Sequence, residues 1–202
     1  MLDSRIVPHL KAPLRKIATQ LHNRGIGADE VTLVGFAIGF VAVVAVANGH
    51  FLVAMVLMGL NRLADGIDGE IARQTGGTDA GAFLDIVLDF IFYAIFPLGF
   101  ALYDPTTNAL AAAVLVASFV GTGASFLAFD TFARNRDIEH PNFAYKGFYY
   151  INGLAEGTET IFAFVLMCLF PLYFSLIAYV FAIVCVVTAI NRVVFSYVTL
   201  RR

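Results

Sequence analysis

The chain has 202 residues, 59% of them hydrophobic and 14% charged, with a mean hydropathy of +0.80 and a formal net charge of −2. Soluble domains carry about 25% charged residues, so this composition excludes an ordinary soluble domain and is that of an all-α integral membrane protein in one domain, 1–202. No basic run is long enough to suggest nucleic-acid binding.

Residues 3–24 predict an amphipathic surface helix. Ile6, Leu10, Leu14, Ile17 and Leu21 recur at helical spacing, and Arg5, Lys11, Arg15 and Lys16 occupy other faces. Such a segment lies flat on an anionic membrane surface. Met1 to Glu30 lacks an early apolar core, so a signal peptide is not expected. Six transmembrane helices are predicted to follow as a bundle over 31–199, at 31–48, 51–73, 81–103, 109–133, 149–170 and 173–199. Turns fall at Asn48-Gly49, Gly76-Gly77 and Asp104-Pro105. Cys168 and Cys185 lie in apolar runs without metal-type spacing and read as small buried hydrophobes. Tyr145, Tyr149 and Tyr150 suit an interfacial belt.

Charge sets the expected orientation. The N-terminal cluster, Arg73, Arg134, Arg136, Lys146, Arg201 and Arg202 fall on one side, whereas 48–50, 104–108 and 170–173 contain no Lys or Arg. The basic side faces the cytoplasm by the positive-inside rule. Both termini are then cytoplasmic in a multi-pass protein of a plasma (bacterial inner) membrane.

The residues that carry chemistry lie in the second and third predicted spans. Asp65 and Asp68 are spaced i,i+3, and Asp85 and Asp89 i,i+4, so each pair shares one helix face. Ionisable groups in membrane-grade sequence are costly and mark function. If the two helices pack side by side, the carboxylates converge near the cytoplasmic face, and their repulsion calls for an oxygen-preferring divalent cation, Mg²⁺ or Mn²⁺. The alternatives are a structural ion-pair cluster or a solvated mouth. Glu70 points off this face and reads as a surface residue, and Asn61 and Arg62 read as supports for helix packing, with donor contact as the alternative.

The full pattern is D-x2-D-G-x2-A-R-x7-G-x3-D-x3-D. It resembles the signature of the CDP-alcohol phosphotransferases (CDP-alcohol phosphatidyltransferases), membrane enzymes of phospholipid synthesis, and is most similar to a bacterial inner-membrane branch. The resemblance extends to the six-helix hydropathy, the surface helix and the stretch Asp29-Glu30-Val31-Thr32-Leu33. It departs at Ala28-Asp29, where many relatives have Pro-Asn. The resemblance implies that a CDP-alcohol, most often CDP-diacylglycerol in bacteria, gives its phosphatidyl group to an acceptor alcohol with release of CMP. It implies Mg²⁺ or Mn²⁺, a homodimer, and Asp65, Asp68, Asp85 and Asp89 as metal ligands, with Asp89 also the catalytic base. It further implies a donor site at Thr32, Asp65, Asp68, Gly69, Ala72, Arg73, Gly81 and Asp85. There the small residues Gly69, Ala72 and Gly81 let the CMP moiety lie against helix backbone.

Relatives with phosphorylated acceptors carry basic residues in the fifth span. Here the matching stretch, Asn152 to Thr160, holds Glu156 and Glu159 and no base. An uncharged or cationic acceptor is therefore expected, a free polyol or amino alcohol, with a phosphorylated acceptor or phosphatidylglycerol as the alternative. Glu156, Glu159, Lys146 and Arg192 are the candidate acceptor residues. For the glutamates the plainer reading is acids at a helix N-terminus, and for Lys146 a solvated loop lysine. Two other classes compete. A membrane prenyltransferase shares aspartate-rich motifs but lacks the G-x2-A-R portion. A cation-site transporter leaves the small residues unexplained.

Overall fold

The computed structural model describes residues 3–134 and 155–201, with side chains from residue 12 onward. The described residues form seven α-helices, without a strand: α1 (Asp3–His22), α2 (Ala28–Ala47), α3 (Phe51–Thr75), α4 (Asp79–Tyr103), α5 (Pro105–Arg134), α6 (Gly157–Leu169) and α7 (Phe174–Leu200). A short 3₁₀ turn, Pro171–Tyr173, joins the last two.

Local chemistry sets the helix ends. After α1, Gly25 takes φ +82, Ile26 N–H donates to Leu21 carbonyl oxygen at 3.1 Å, and Gly25 N–H to that of His22 at 2.9 Å. This is a Schellman closure, and Ile26 packs in the same small cluster as Leu21. The same closure recurs after α2, with Gly49 at φ +77 and His50 N–H on Ala45 carbonyl oxygen. The hydroxyl of Thr78 accepts from Gly81 N–H at 2.9 Å and starts α4. Asp104 starts α5 in the same way, accepting from Thr107 N–H at 3.2 Å, with Pro105 at the first helical position.

Four helices are long and apolar enough to cross a membrane: α2, α4, α5 and α7, the last with its 3₁₀ lead-in. They fit a multi-pass membrane protein. The other two helices expected to span differ. α3 has 25 residues but carries Arg62, Asp65, Asp68, Glu70 and Arg73. α6 has 13 described helical residues, a length of about 20 Å at 1.5 Å per residue. Its described helix begins at Gly157, and residues 149–154 of the expected span lie outside those described.

The core is aromatic. Phe92, Phe96 and Phe100 recur every fourth residue along one face of α4 and are buried. Phe96 stacks on Phe164 of α6 at 4.5 Å between ring centroids, and Phe100 stacks on Phe174 of α7 at 4.4 Å. Small residues bring α2 close to its neighbours: a Cβ on Gly35 would lie 2.8 Å from Ala64 Cβ of α3. One arrangement differs from the side-by-side packing expected of α3 and α4. α2 packs against both, while they make little direct contact with each other. Their polar faces therefore meet across an open cleft backed by α2. α1 packs on α3, with Ala18 fully buried against Val31 and Ile71.

Candidate active site

The cleft gathers both acidic pairs. One carboxylate oxygen from each of Asp65, Asp68 and Asp85 lies within 4.8 Å of the others, close enough to share one ion. Such an all-oxygen donor set on two rigid helices suits Mg²⁺ or Mn²⁺, which prefer carboxylates. Asp68 is 4% exposed, and its Oδ2 accepts the Thr32 hydroxyl at 2.6 Å from α2. That bond fixes the carboxylate's rotamer, as hydrogen bonds to metal ligands commonly do.

Asp89 lies one turn further along α4, beside the acidic triad and outside it. Its two oxygens take a forked contact from Arg62 of α3, at 2.7 Å to Nη2 and 3.3 Å to Nη1. Arg62 Nη1 also faces Asp65 at 3.8 Å and donates to Tyr93 Oη at 3.2 Å. Arg62 Nε donates to Asn61 Oδ1 at 2.9 Å, and Asn61 Nδ2 in turn to the Gly35 carbonyl oxygen at 2.9 Å. The guanidinium carbon sits 5.2 Å from the Phe92 ring centroid and 5.5 Å from that of Tyr93. Arg62 was expected to support packing, with donor contact as the alternative. The signal available in sequence was its i,i+3 spacing to Asp65; its partner Asp89 is on another helix.

On the other side of the triad a groove of about 780 Å³ runs between the starts of α2 and α4 and the end of α3. Thr32, Gly69, Ala72, Arg73 and Gly81 line it together with Asp68 and Asp85. All the residues expected at the donor site thus face this groove except Asp65, which lies at the neighbouring polar pocket with Arg62 and Asp89. A Cβ at Gly81 would stand 2.7 Å from Asp29 Oδ1, so the glycine allows α2 and α4 to approach at the groove's rim. Arg73 Nη2 pairs with Glu70 Oε1 at 2.9 Å; the glutamate, expected at the surface, is buried, and the arginine side chain is exposed.

The candidate acceptor residues divide. Glu156 caps α6 and Glu159 lies in its first turn. This turn sits beside the Arg62–Asp89 pair: a Cβ on Gly157 would lie 3.6 Å from Tyr93 Oη. Arg192 of α7 donates to the Thr122 carbonyl oxygen at 2.9 Å, lies 5.5 Å over Phe126, and is near enough to Glu156 for their charges to attract. Lys146, Arg136, Tyr145, Tyr149 and Tyr150 lie outside the described residues.

Comparison with known proteins bears on this geometry. The sequence pattern of the CDP-alcohol phosphatidyltransferases matches residues 26–191. The chain belongs to that family. It is an enzyme of the CDP-alcohol phosphotransferase class, a membrane transferase of phospholipid synthesis. It is 50% identical to the inner membrane protein YnjF of Escherichia coli over 201 residues, 100% of this chain and 98% of that one. It is also 33% identical to the phosphatidylcholine synthase of Rhizobium meliloti, over 48% of this chain and 44% of that protein. Its fold matches the Mycobacterium tuberculosis phosphatidylinositol phosphate synthase at 20% identity. The TM-score is 0.65 for the structure with CDP-DAG bound, covering 91% of this chain and 93% of that one. It is 0.68 for the complex with manganese and citrate, covering 91% and 88%.

Proposed function

We propose that the protein transfers a phosphatidyl group from a CDP-alcohol, CDP-diacylglycerol in the first instance, to the hydroxyl of an unphosphorylated acceptor alcohol, releasing CMP. The observation that carries this reading is the juxtaposition of the carboxylate triad with a groove walled by Gly69, Ala72 and Gly81. The groove takes the CMP half of the donor, with bare helix backbone letting the nucleotide lie close. Asp65, Asp68 and Asp85 would hold Mg²⁺ or Mn²⁺, which when bound neutralises charge on the pyrophosphate oxygens. Thr32 orients Asp68, and Arg73 lies at the groove for a donor phosphate. Asp89, on the far side of the triad, accepts the proton of the acceptor hydroxyl. The acceptor oxygen–phosphorus bond forms as the bond from phosphorus to the CMP oxygen breaks, and CMP leaves through the groove. Holding the two reactants in line across the cleft is the chain's main contribution.

The acceptor side is then the wall formed by Asp89, Tyr93 and the first turn of α6. Glu156 and Glu159 give that wall an acidic character, which favours a polyol or an amino alcohol. A phosphorylated acceptor is the second reading, favoured by Arg192 on the neighbouring helix. The relatives include a phosphatidylcholine synthase and a phosphatidylinositol phosphate synthase, so substrates of both kinds belong in the assay.

The same reading places the protein as a homodimer in a bacterial inner membrane. Six helices span, α1 lies amphipathically on the surface, and both termini and the cleft face the cytoplasm. The basic residues at one end, and the turns at the other that contain no Lys or Arg, support the orientation.

The test uses purified protein with CDP-diacylglycerol, Mg²⁺ and single acceptors: inositol, serine, choline, ethanolamine, glycerol phosphate, inositol phosphate and phosphatidylglycerol. Acceptor-dependent CMP release is expected, and loss of a general base costs about 10²–10⁴-fold, which Asp89→Asn should reproduce. Pyrophosphate release from a prenyl pyrophosphate, with no CMP release from any CDP-alcohol, would overturn the reading.

A further inference from the structure

Arg192 is the only charged residue of α7, and the leading reaction proposed above gives it no part. An ionisable group inside membrane-grade sequence is costly and marks function through the partner it faces. Its place is closely held. Nη1 donates to the Thr122 carbonyl oxygen at 2.9 Å, and the guanidinium lies 5.5 Å over the Phe126 ring, one turn along the same face of α5. These contacts use one of its several N–H donors, and among the described residues no other group accepts from it. The entry to α6 is brought to the same place. Thr188 lies one turn before Arg192 on α7 and is buried, and its Oγ1 accepts the Ala155 N–H at 3.1 Å. That bond sets the next residue, Glu156, near enough to Arg192 for their charges to attract. The Glu156 side chain makes no hydrogen bond to the helix turn that it caps, so hydrogen-bonded capping does not account for an acid here. A Cβ on the following residue, Gly157, would stand 3.6 Å from Tyr93 Oη, which puts the Glu156–Arg192 pair at the acceptor wall.

We propose that Glu156 sets the acceptor class by cancelling the charge of Arg192. A guanidinium is the side chain best matched to a phosphate, and an uncompensated one at this wall would draw a phosphomonoester. With a carboxylate beside it, an incoming dianion meets repulsion from Glu156 as well as attraction from Arg192. An uncharged or cationic alcohol meets no net barrier. Selectivity of this kind comes from a repulsive element rather than from an added contact. The inference rests on the acceptor side proposed above and narrows it: held this way, Arg192 no longer favours a phosphorylated acceptor.

Binding of a phosphomonoester tests this apart from turnover. Full-length protein in phosphatidylcholine nanodiscs, with Mg²⁺ and saturating CMP, is titrated with radiolabelled glycerol phosphate, and with glycerol as the uncharged control. Wild type should bind glycerol phosphate no more tightly than glycerol. Glu156→Gln should bind glycerol phosphate about tenfold more tightly than wild type does, with glycerol unchanged. Glu156→Ser should show the same gain; serine is a favoured helix cap, which keeps the comparison decisive if the glutamine variant does not fold. Glu156→Asp keeps the charge and should behave as wild type. Glu156→Gln/Arg192→Gln should lose the gain. Wild type binding glycerol phosphate as tightly as the Glu156 variants overturns the inference, and so do folded glutamine and serine variants without a gain. A gain that persists without Arg192 overturns it as well. CMP release on the same samples reports on the enzyme: none from wild type with any acceptor sinks the transferase reading, while the binding comparison still decides what Glu156 does to Arg192.

Discussion

Gly69 lines the proposed donor groove, and its lack of a side chain is separable from the fold. The nearest atoms to a Cβ placed there would be those of the Arg73 guanidinium, at 3.5 Å, an ordinary contact with a flexible tip. In a helix interior alanine is favoured over glycine by about 1 kcal/mol. Gly69→Ala should therefore fold at least as stably as wild type while narrowing the groove. The expected outcome is an unchanged or raised unfolding midpoint with the KM for the CDP-alcohol up about tenfold, equivalent to about 1.4 kcal/mol of lost binding. A lowered midpoint with unchanged KM would mean the glycine serves packing. At this scale the spacing of the four aspartates was enough to put each pair on one helix face, because i,i+3 and i,i+4 intervals fix a shared helix face, and both pairs line the same cleft. It was not enough to assign partners. Thr32 to Asp68 and Arg62 to Asp89 cross between helices 36 and 27 residues apart in sequence, and only tertiary packing decides which donors reach which carboxylate.

Between elements, the cleft depends on how closely α2 approaches α3. Gly35 is buried at that contact, and its missing Cβ leaves room for Ala64. Small residues at such crossings let membrane helices pack backbone to backbone. In Gly35→Ala the two methyl carbons would stand 2.8 Å apart, and neither is the end of a flexible chain, so the helices must separate. The expected cost is about 1–3 kcal/mol, as for other overpacked contacts, read as a lowered unfolding midpoint in detergent. Because Asn61 reaches the Gly35 carbonyl from α3, the Arg62 network should loosen too. Gly35→Ala/Ala64→Gly should recover most of the loss; failure to recover would show that the crossing is not the cause. Helix limits were legible to within a few residues wherever glycine, proline or a capping side chain stops the chain, as at Gly25, Gly49, Thr78 and Asp104. The wedge of α2 between α3 and α4 was not legible, since adjacency in sequence favours hairpin packing and nothing in the spacing of the carboxylates requires a gap. The gap is nevertheless what leaves room for a ligand between them.

At the scale of the whole molecule the two ends of the bundle differ. At one end Gly49 abuts Tyr103, and the Ser175 hydroxyl donates to the Thr107 carbonyl oxygen at 2.8 Å. This gathers the turns at 48–50, 104–108 and 170–173, which contain no Lys or Arg. At the other end α1 is tied to α3 by Thr19 Oγ1 on Gln74 Oε1 at 3.0 Å, beside the groove. The proposed nucleotide donor, made in the cytosol, calls for the groove end to face inward, and the positive-inside rule favours the same proposed orientation. The two requirements are independent, and their agreement makes the topology testable by labelling. Cys168 and Cys185 are buried, so wild type should react little with a membrane-impermeant maleimide. Leu172→Cys, at a position 91% exposed, should label in intact spheroplasts. Ala80→Cys, exposed at the groove rim, should label only in inverted vesicles. The opposite pattern would put the cleft on the wrong side of the membrane for a cytosolic donor. Labelling of both positions from one face would mean that the bundle does not cross the membrane end to end, and the six-span reading of α2 to α7 would fail with it.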